Sequence, residues 1–385
     1  MTITDSPAQP FVAKWGIIGC GWISSEFCKD LAFIRPEVTD VSHAVVAVGS
    51  RDKAKAAAFI AENMPQGARA QVEGVYSAKP QPCGSYDEVY DHPKDVDIIY
   101  IGTPNQSHFT AAKAALLRGK HVLVEKPACL NAAEWAVLTA LAEEKRVFLM
   151  EGLWTRFQPL TSKLRDALHK DKLIGDIKFV QSDFSMAFYN SLPDTHRTIA
   201  LEAAGGAMFD LGAYAMLPAL IALHENPDNH MSPPEHLSAS MLKTRQGTDQ
   251  STSFSFDFPR IDAKAIMSTS IAYNSPKDQP CVIVGTKGEI VLHGHLSRPS
   301  GMTIKIIDQD PAPFITKWKE PVKVDADVGP GFGLYFEADS VARSLRDSEL
   351  QNATMPHSET ALVLGLFDSI RKLGGYTLPP GLEQA

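Results

Sequence analysis

The chain has 385 residues, 44% of them hydrophobic and 21% charged, with a formal net charge of −8. That length predicts about two domains, and the composition is that of a globular protein with a sizeable core. The acidic balance and the lack of a Lys/Arg block argue against a nucleic-acid partner.

Residues 1–13 read as a loose polar tail with no apolar stretch resembling a signal peptide. From Lys14 to Glu151, short apolar β-branched runs alternate with Ala/Lys/Glu-rich stretches, the pattern of βαβ units on a parallel sheet. The expected strands are 14–18, 44–50, 98–102, 121–125 and 147–151. The expected helices are 24–31, 52–62, 107–118 and 132–145, with Gly119 as a C-terminal cap.

After Thr161 the pattern changes. A helix over 161–169 leads into alternating segments at 177–185, 237–243, 251–257, 263–270, 280–284, 289–293 and 303–307, with 285–288 as a hairpin turn and 223–237 as a surface loop. The fold class is therefore α/β: an N-terminal Rossmann dinucleotide-binding domain (1–151) and a C-terminal α+β domain (152–385) with a large, mostly antiparallel open sheet. The longest apolar stretch, 213–223, is too short to span a bilayer and carries Pro218, so no membrane partner is expected. Five scattered cysteines without a Cys-x-x-Cys pair fit a reducing, cytoplasmic setting.

The first strand ends in Gly19-Cys20-Gly21-Trp22-Ile23-Ser24. A strand running through Gly-x-Gly into a helix is a dinucleotide-binding turn: Gly19 permits the turn, and Gly21 admits a pyrophosphate at the helix N-terminus. Ser24 replaces the usual third Gly or Ala. At the end of the second strand an NAD site usually carries an acid, whereas here Ser50-Arg51 precede Asp52 and Lys55. A guanidinium suits a 2′-phosphate, so NADP is the expected cofactor, with Asp52 leaving dual use open. Three further segments fall at expected strand ends: Thr103-Pro104-Asn105 with His108, Glu125-Lys126-Pro127, and Trp154-Thr155-Arg156-Phe157. Each also reads as an ordinary strand-to-helix turn. His293 and His295 lie at i and i+2 without a third ligand, so no metal site is expected.

These segments resemble, in order and spacing, the glucose-fructose oxidoreductase, inositol dehydrogenase and rhizopine catabolism family, whose best-known motif matches Glu125-Lys126-Pro127. Gly205-Gly206-Ala207-Met208-Phe209-Asp210-Leu211-Gly212-Ala213-Tyr214 resembles that family's Gly-Gly-x-x-x-Asp segment. Tyr at 214, with Trp154 to Phe157 and the run Met355 to Glu359, is similar to a subgroup holding the dimeric dihydrodiol dehydrogenases and fungal NADP-linked D-xylose 1-dehydrogenases.

The resemblance implies NADP-linked oxidation of a sugar at C1, D-xylose first, with a trans-dihydrodiol as the alternative substrate. Some relatives only sense cofactor; Lys126, Asp210 and Tyr214 together point to catalysis instead. Tyr214 is the expected base, its phenol (ordinary pKa near about 10) helped by Lys126, which is itself an alternative proton carrier. Asp210, one helical turn before Tyr214, would orient Lys126 or a sugar hydroxyl. His108 would brace the nicotinamide side or touch substrate. The implied cofactor contacts are Gly19, Gly21, Trp22, Ile23, Ser50, Arg51, Lys55, Thr103, Pro104, Asn105, His108, Glu125, Lys126, Trp154 and Arg156. The substrate contacts are Lys126, Trp154, Phe157, Asp210 and Tyr214, with Phe188 and Tyr189 as further aromatics near the cleft. A homodimer through the open sheet is expected.

Overall fold

The computed structural model describes residues 9–64, 79–92, 96–308, 316–327 and 329–385. The chain divides into two compact units: residues 1–128, 133–152 and 329–360 form the first, and 129–132, 153–328 and 361–385 the second. The expected division was a single one at 151/152, whereas the first unit also takes in the later segment 329–360.

The first unit is built on a six-stranded parallel sheet. Its strands are β1 (Phe11–Ile18), β2 (Val41–Gly49), β3 (Gln81–Cys83), β4 (Ile98–Ile101), β5 (His121–Glu125) and β6 (Leu149–Gly152), in the spatial order β3-β2-β1-β4-β5-β6. The order reverses between β1 and β4, where ligands bind in such sheets. Every residue of β4 and β6 is buried, as strands covered on both faces require. Between them run α1 (Trp22–Leu31), α2 (Lys53–Asn63), α3 (Asp87–Tyr90), α4 (His108–Leu117) and α5 (Ala132–Lys145). Gly119 follows α4 at φ +71°, the left-handed cap expected of it.

Two expectations are corrected here. Phe11 to Ala13 are not tail but the start of β1, paired with Val41 to His43 of β2, with Ala13 buried and Phe11 and Val12 half-buried; residues 1–8 lie outside the described residues. The second correction is α8 (Leu334–Arg346), absent from the sequence reading, which packs against α1, β1 and β2. Its Asp339 is buried and takes both arms of Arg35, at 2.5 and 2.6 Å, and His43 at 2.9 Å. Arg343 forks onto Asp40 at 2.8 and 2.9 Å.

The second unit is an eight-stranded sheet: β7 (Ile177–Ser185), β8 (Glu235–Lys243), β9 (Asp249–Phe258), β10 (Ala263–Ser270), β11 (Cys281–Gly285), β12 (Gly288–His295), β13 (Arg298–Ile306) and β14 (Val322–Asp325), ordered β14-β13-β12-β11-β7-β10-β9-β8. All pairs are antiparallel except β7 with β10. The hairpin closes as expected, with Gly285 opposite Gly288. Phe254, Phe256 and Phe258 of β9 face the core, while Ser253, Lys264, Ile266 and Gln181 leave the other face open.

The helical side is less regular than periodicity suggests. α6 (Pro159–Arg165) ends in a π-turn over Asp166–Lys170, and α7 (Ala213–Ala219) lies between π-turns at Met208–Gly212 and Leu220–His224. Among the described residues one helical passage, Leu201–His224, is long and apolar enough to cross a membrane, but its apolar window is 94% buried within the protein, so it is core. The expected loop 223–237 holds a single 3-10 turn at Pro227–Asn229 before β8 begins. The last helix, α9 (His357–Leu373), begins within the run Met355 to Glu359.

Candidate active site

In the first unit the glycine turn follows directly from β1. Gly19 sits at φ +91°, and a Cβ there would lie 2.6 Å from the Gly102 carbonyl oxygen, so only glycine fits. Gly21 caps α1 with no side-chain partner, and a Cβ there would come no nearer than 3.8 Å to Gly102. This leaves the helix N-terminus open to an anion. Ser24 is fully buried, and a Cβ on Gly102 would strike its Oγ at 2.1 Å. The serine therefore serves as the small residue that lets α1 approach β4.

At the end of β2, Ser50 is buried, whereas Arg51 and Lys55 are exposed. Asp52 caps α2 by accepting from the Ala54 amide at 2.8 Å, which commits the one acid at this strand end to its own helix. Burial raises the Tyr86 phenol while the nearby Arg51 charge opposes it, and burial raises the Cys20 thiol while Lys55 opposes that. Lys55 thus lies near the glycine turn and Arg51 near Tyr86, a chemistry that fits a phosphorylated dinucleotide. Tyr86 escaped the sequence reading because nothing local ties it to Arg51.

The remaining strand ends are tied together by backbone contacts. His108 is buried, with Nδ1 2.7 Å from the Pro127 carbonyl oxygen and Nε2 2.8 Å from that of Thr103. It is a brace that fixes the β4 loop against the Lys126-Pro127 segment, whose peptide bond is cis. Tyr100 donates to Glu125 at 2.6 Å, and Lys126 is half-buried. Glu151 accepts from the Ala128 amide at 2.9 Å, and burial pushes its carboxyl up to about 7. Glu337 of α8 is fully buried near Glu125 and Glu151; burial, then those two charges, raise it well above the carboxylate range. Glu337 was invisible in the sequence, since its role depends on α8 returning to the sheet.

In the second unit, Trp154 and Tyr214 meet: the indole Nε1 donates to the phenol oxygen at 2.9 Å, with both rings buried. Phe184 packs edge-on against Tyr214 at 5.5 Å. Phe157 is half-buried beside them in sequence. Asp210 lies in a π-turn, an insertion common at functional sites, and faces Arg197 at 3.4 Å. His196 is held below its ordinary value by burial and Arg197, with Asp210 opposing. His196 and Arg197 belong to a loop without periodicity, which hid them.

The Gly-Gly segment has a steric reason: Gly206 adopts φ +111°, and a Cβ there would lie 1.9 Å from Asp249 Oδ1. Asp249 accepts from the Met208 amide and from Thr252, each at 2.8 Å. Arg156, expected at the cofactor, is buried and salt-bridged to Glu225, which also takes Arg165 at 2.6 Å. Burial works to raise Glu225, but the two arginines outweigh it and hold the carboxylate low. His293 and His295 do not act as a pair. A register shift separates them, His293 bonds Asp278 and Thr303, and His295 lies against Phe184.

Comparison with known proteins agrees with both halves. Residues 13–153 match the GFO/IDH/MocA oxidoreductase family, NAD-binding Rossmann fold, and residues 162–291 match the GFO/IDH/MocA C-terminal domain. The chain is 33% identical to the D-xylose 1-dehydrogenase (NADP(+)) of Hypocrea jecorina, over 96% of this chain and 94% of that one. It is 30% identical to the trans-1,2-dihydrobenzene-1,2-diol dehydrogenase of Homo sapiens, over 95% and 98%. An aldose-aldose oxidoreductase of Caulobacter crescentus, solved with glycerol, shares the fold with a TM-score of 0.74 at 18% identity, over 94% and 97%.

Proposed function

Because the chain belongs to the GFO/IDH/MocA family of NAD(P)-dependent oxidoreductases, we propose that it oxidises an aldopyranose at C1, D-xylose foremost, to the lactone with NADP. The observation that carries the cofactor choice is the end of β2, where Arg51 and Lys55 are exposed and Asp52 is spent on a helix cap. The 33% identity to an NADP-linked D-xylose 1-dehydrogenase supports the substrate.

Bound NADP supplies the acceptor for the C1 hydride. The hydroxyl proton needs a group from the protein, and two qualify. Tyr214 is a buried phenol whose oxygen already accepts a hydrogen bond from Trp154. Lys126 is a half-buried cation of the first unit, suited to hold the reacting oxygen or to carry the proton itself. Asp210, with Arg197, is the proposed contact to a second sugar hydroxyl.

A trans-dihydrodiol is the second reading, favoured by the 30% identity to the human enzyme and by the aromatic set Trp154, Tyr214 and Phe184. A panel of aldoses and a dihydrodiol, followed by NADPH formation, separates the two; no turnover of any pentose sinks the first. Lys126→Met and Tyr214→Phe are each expected to lower kcat at least about 100-fold. Intact turnover in both overturns the proton assignment. We also propose a homodimer through the open sheet face; static light scattering at micromolar concentration should give twice the chain mass of 41.9 kDa, and a monomer refutes it.

A further inference from the structure

α1 opens at Trp22, the residue after the capping Gly21, and the indole is 63% exposed. A ring of this size at the first position of a helix contributes nothing to the core, and its apolar area in water is a cost. Its ring neighbour is Phe332, edge-on at 5.4 Å and 88°.

The segment that presents Phe332 is built with care. Gly329, Gly331 and Gly333 take φ of +47°, +64° and +81°. A Cβ on Gly331 would lie 1.9 Å from Asp30 Oδ1. Asp30, a buried carboxylate near the end of α1, accepts from the Phe332 amide at 3.1 Å and from the Leu334 amide at 2.7 Å. A buried acid costs free energy unless its hydrogen bonds compensate, and here they fix a loop. Beyond the loop, Arg35–Asp339 pins α8 to the segment between α1 and β2. The first Rossmann helix therefore carries an exposed indole at one end, and near the other the anchor that brings a second aromatic ring to it.

We infer that Trp22 and Phe332 form an aromatic clasp beside the diphosphate of the bound dinucleotide, slowing its release. The inference rests on the dinucleotide reading of the Gly19–Gly21 turn. A phosphate at the α1 N-terminus lies next to the side chain of the first helical residue. Two rings at that point displace water, which strengthens the attraction between the helix amides and the phosphate, and the indole N–H is a further donor. Asp30 is a positioning residue that acts through Phe332.

The test is stopped-flow release of NADPH from the full-length chain, chased with excess NADP and read by energy transfer from tryptophan. Four of the five tryptophans remain in a Trp22 variant, so the signal persists. Trp22→Ala and Phe332→Ala should each speed release about tenfold, leave the association rate within twofold and leave the circular dichroism unchanged. The double variant should be little faster than either, because the two rings act as one unit. Phe332→Tyr should stay near the parent. Release within twofold of the parent in both alanine variants overturns the clasp. If the parent gives no transfer with NADPH, the dinucleotide reading itself fails and the clasp falls with it.

Discussion

Arg51 and Asp52 are neighbours at the end of β2, and their side chains have different fates. The carboxylate is held by the Ala54 amide, whereas the guanidinium is exposed beside Tyr86. A charge-assisted contact to a 2′-phosphate is worth roughly 1.5–3 kcal/mol, so Arg51→Ala should weaken NADPH by about 10- to 100-fold and NADH by less than about twofold. Fluorescence titration of both cofactors checks this; equal weakening of the two would remove Arg51 from phosphate recognition. At this scale the sequence was readable where one residue type is sterically required. Gly19 and Gly206 are examples, because a Cβ at either would overlap atoms already present. It was unreadable where a residue's role depends on a distant partner. The resemblance implies a cofactor contact for Arg156, and no local signal foretells that Glu225, far along the chain, takes its guanidinium.

Among elements, the parallel strands were legible because burial on both faces leaves an apolar run with no other explanation, and β9 because Phe254, Phe256 and Phe258 alternate with polar residues and mark one buried face. The elements that escaped lack those signals. β3 is three residues with a proline, and β14 is four residues of Val and charge on a sheet edge, mostly exposed. α8 is amphipathic, but its buried face carries Glu337 and Asp339, whose partners Arg35 and His43 lie some 300 residues earlier. A local window reads such a face as solvated. The π-turns on both sides of α7 were also beyond reach, and they change the reading of Asp210 and Tyr214 from one regular helix face to two differently partnered groups.

At the scale of the whole molecule, three carboxyl groups among the described residues resist ionisation: Glu337 well above its ordinary value, Glu151 and Asp249 up to about 7, each chiefly by burial. The unfolded chain releases these protons near pH 4 to 4.5, whereas the folded chain keeps them to about pH 7 and, at Glu337, beyond. Over that interval the folded state binds more protons, so these groups make stability fall as pH rises. Carboxylates with the opposite shift, such as Glu225 and Asp339, lose their contribution only as pH drops below 4.5, outside this window. His43, which is buried, and the half-buried His121 and His357 are held low and so favour higher pH around 6.5, which masks the effect in the parent curve. A comparison of variants removes them. Glu337→Gln is isosteric and uncharged, and both Glu337 oxygens are without a hydrogen-bond partner, so the change isolates ionisation against Glu125, Glu151 and the nearby Tyr100. Thermal unfolding should put the variant level with the parent at pH 5 and above it at pH 8. A variant equally destabilised at both values would mean that Glu337 holds the fold through a contact, and that its charge plays no part.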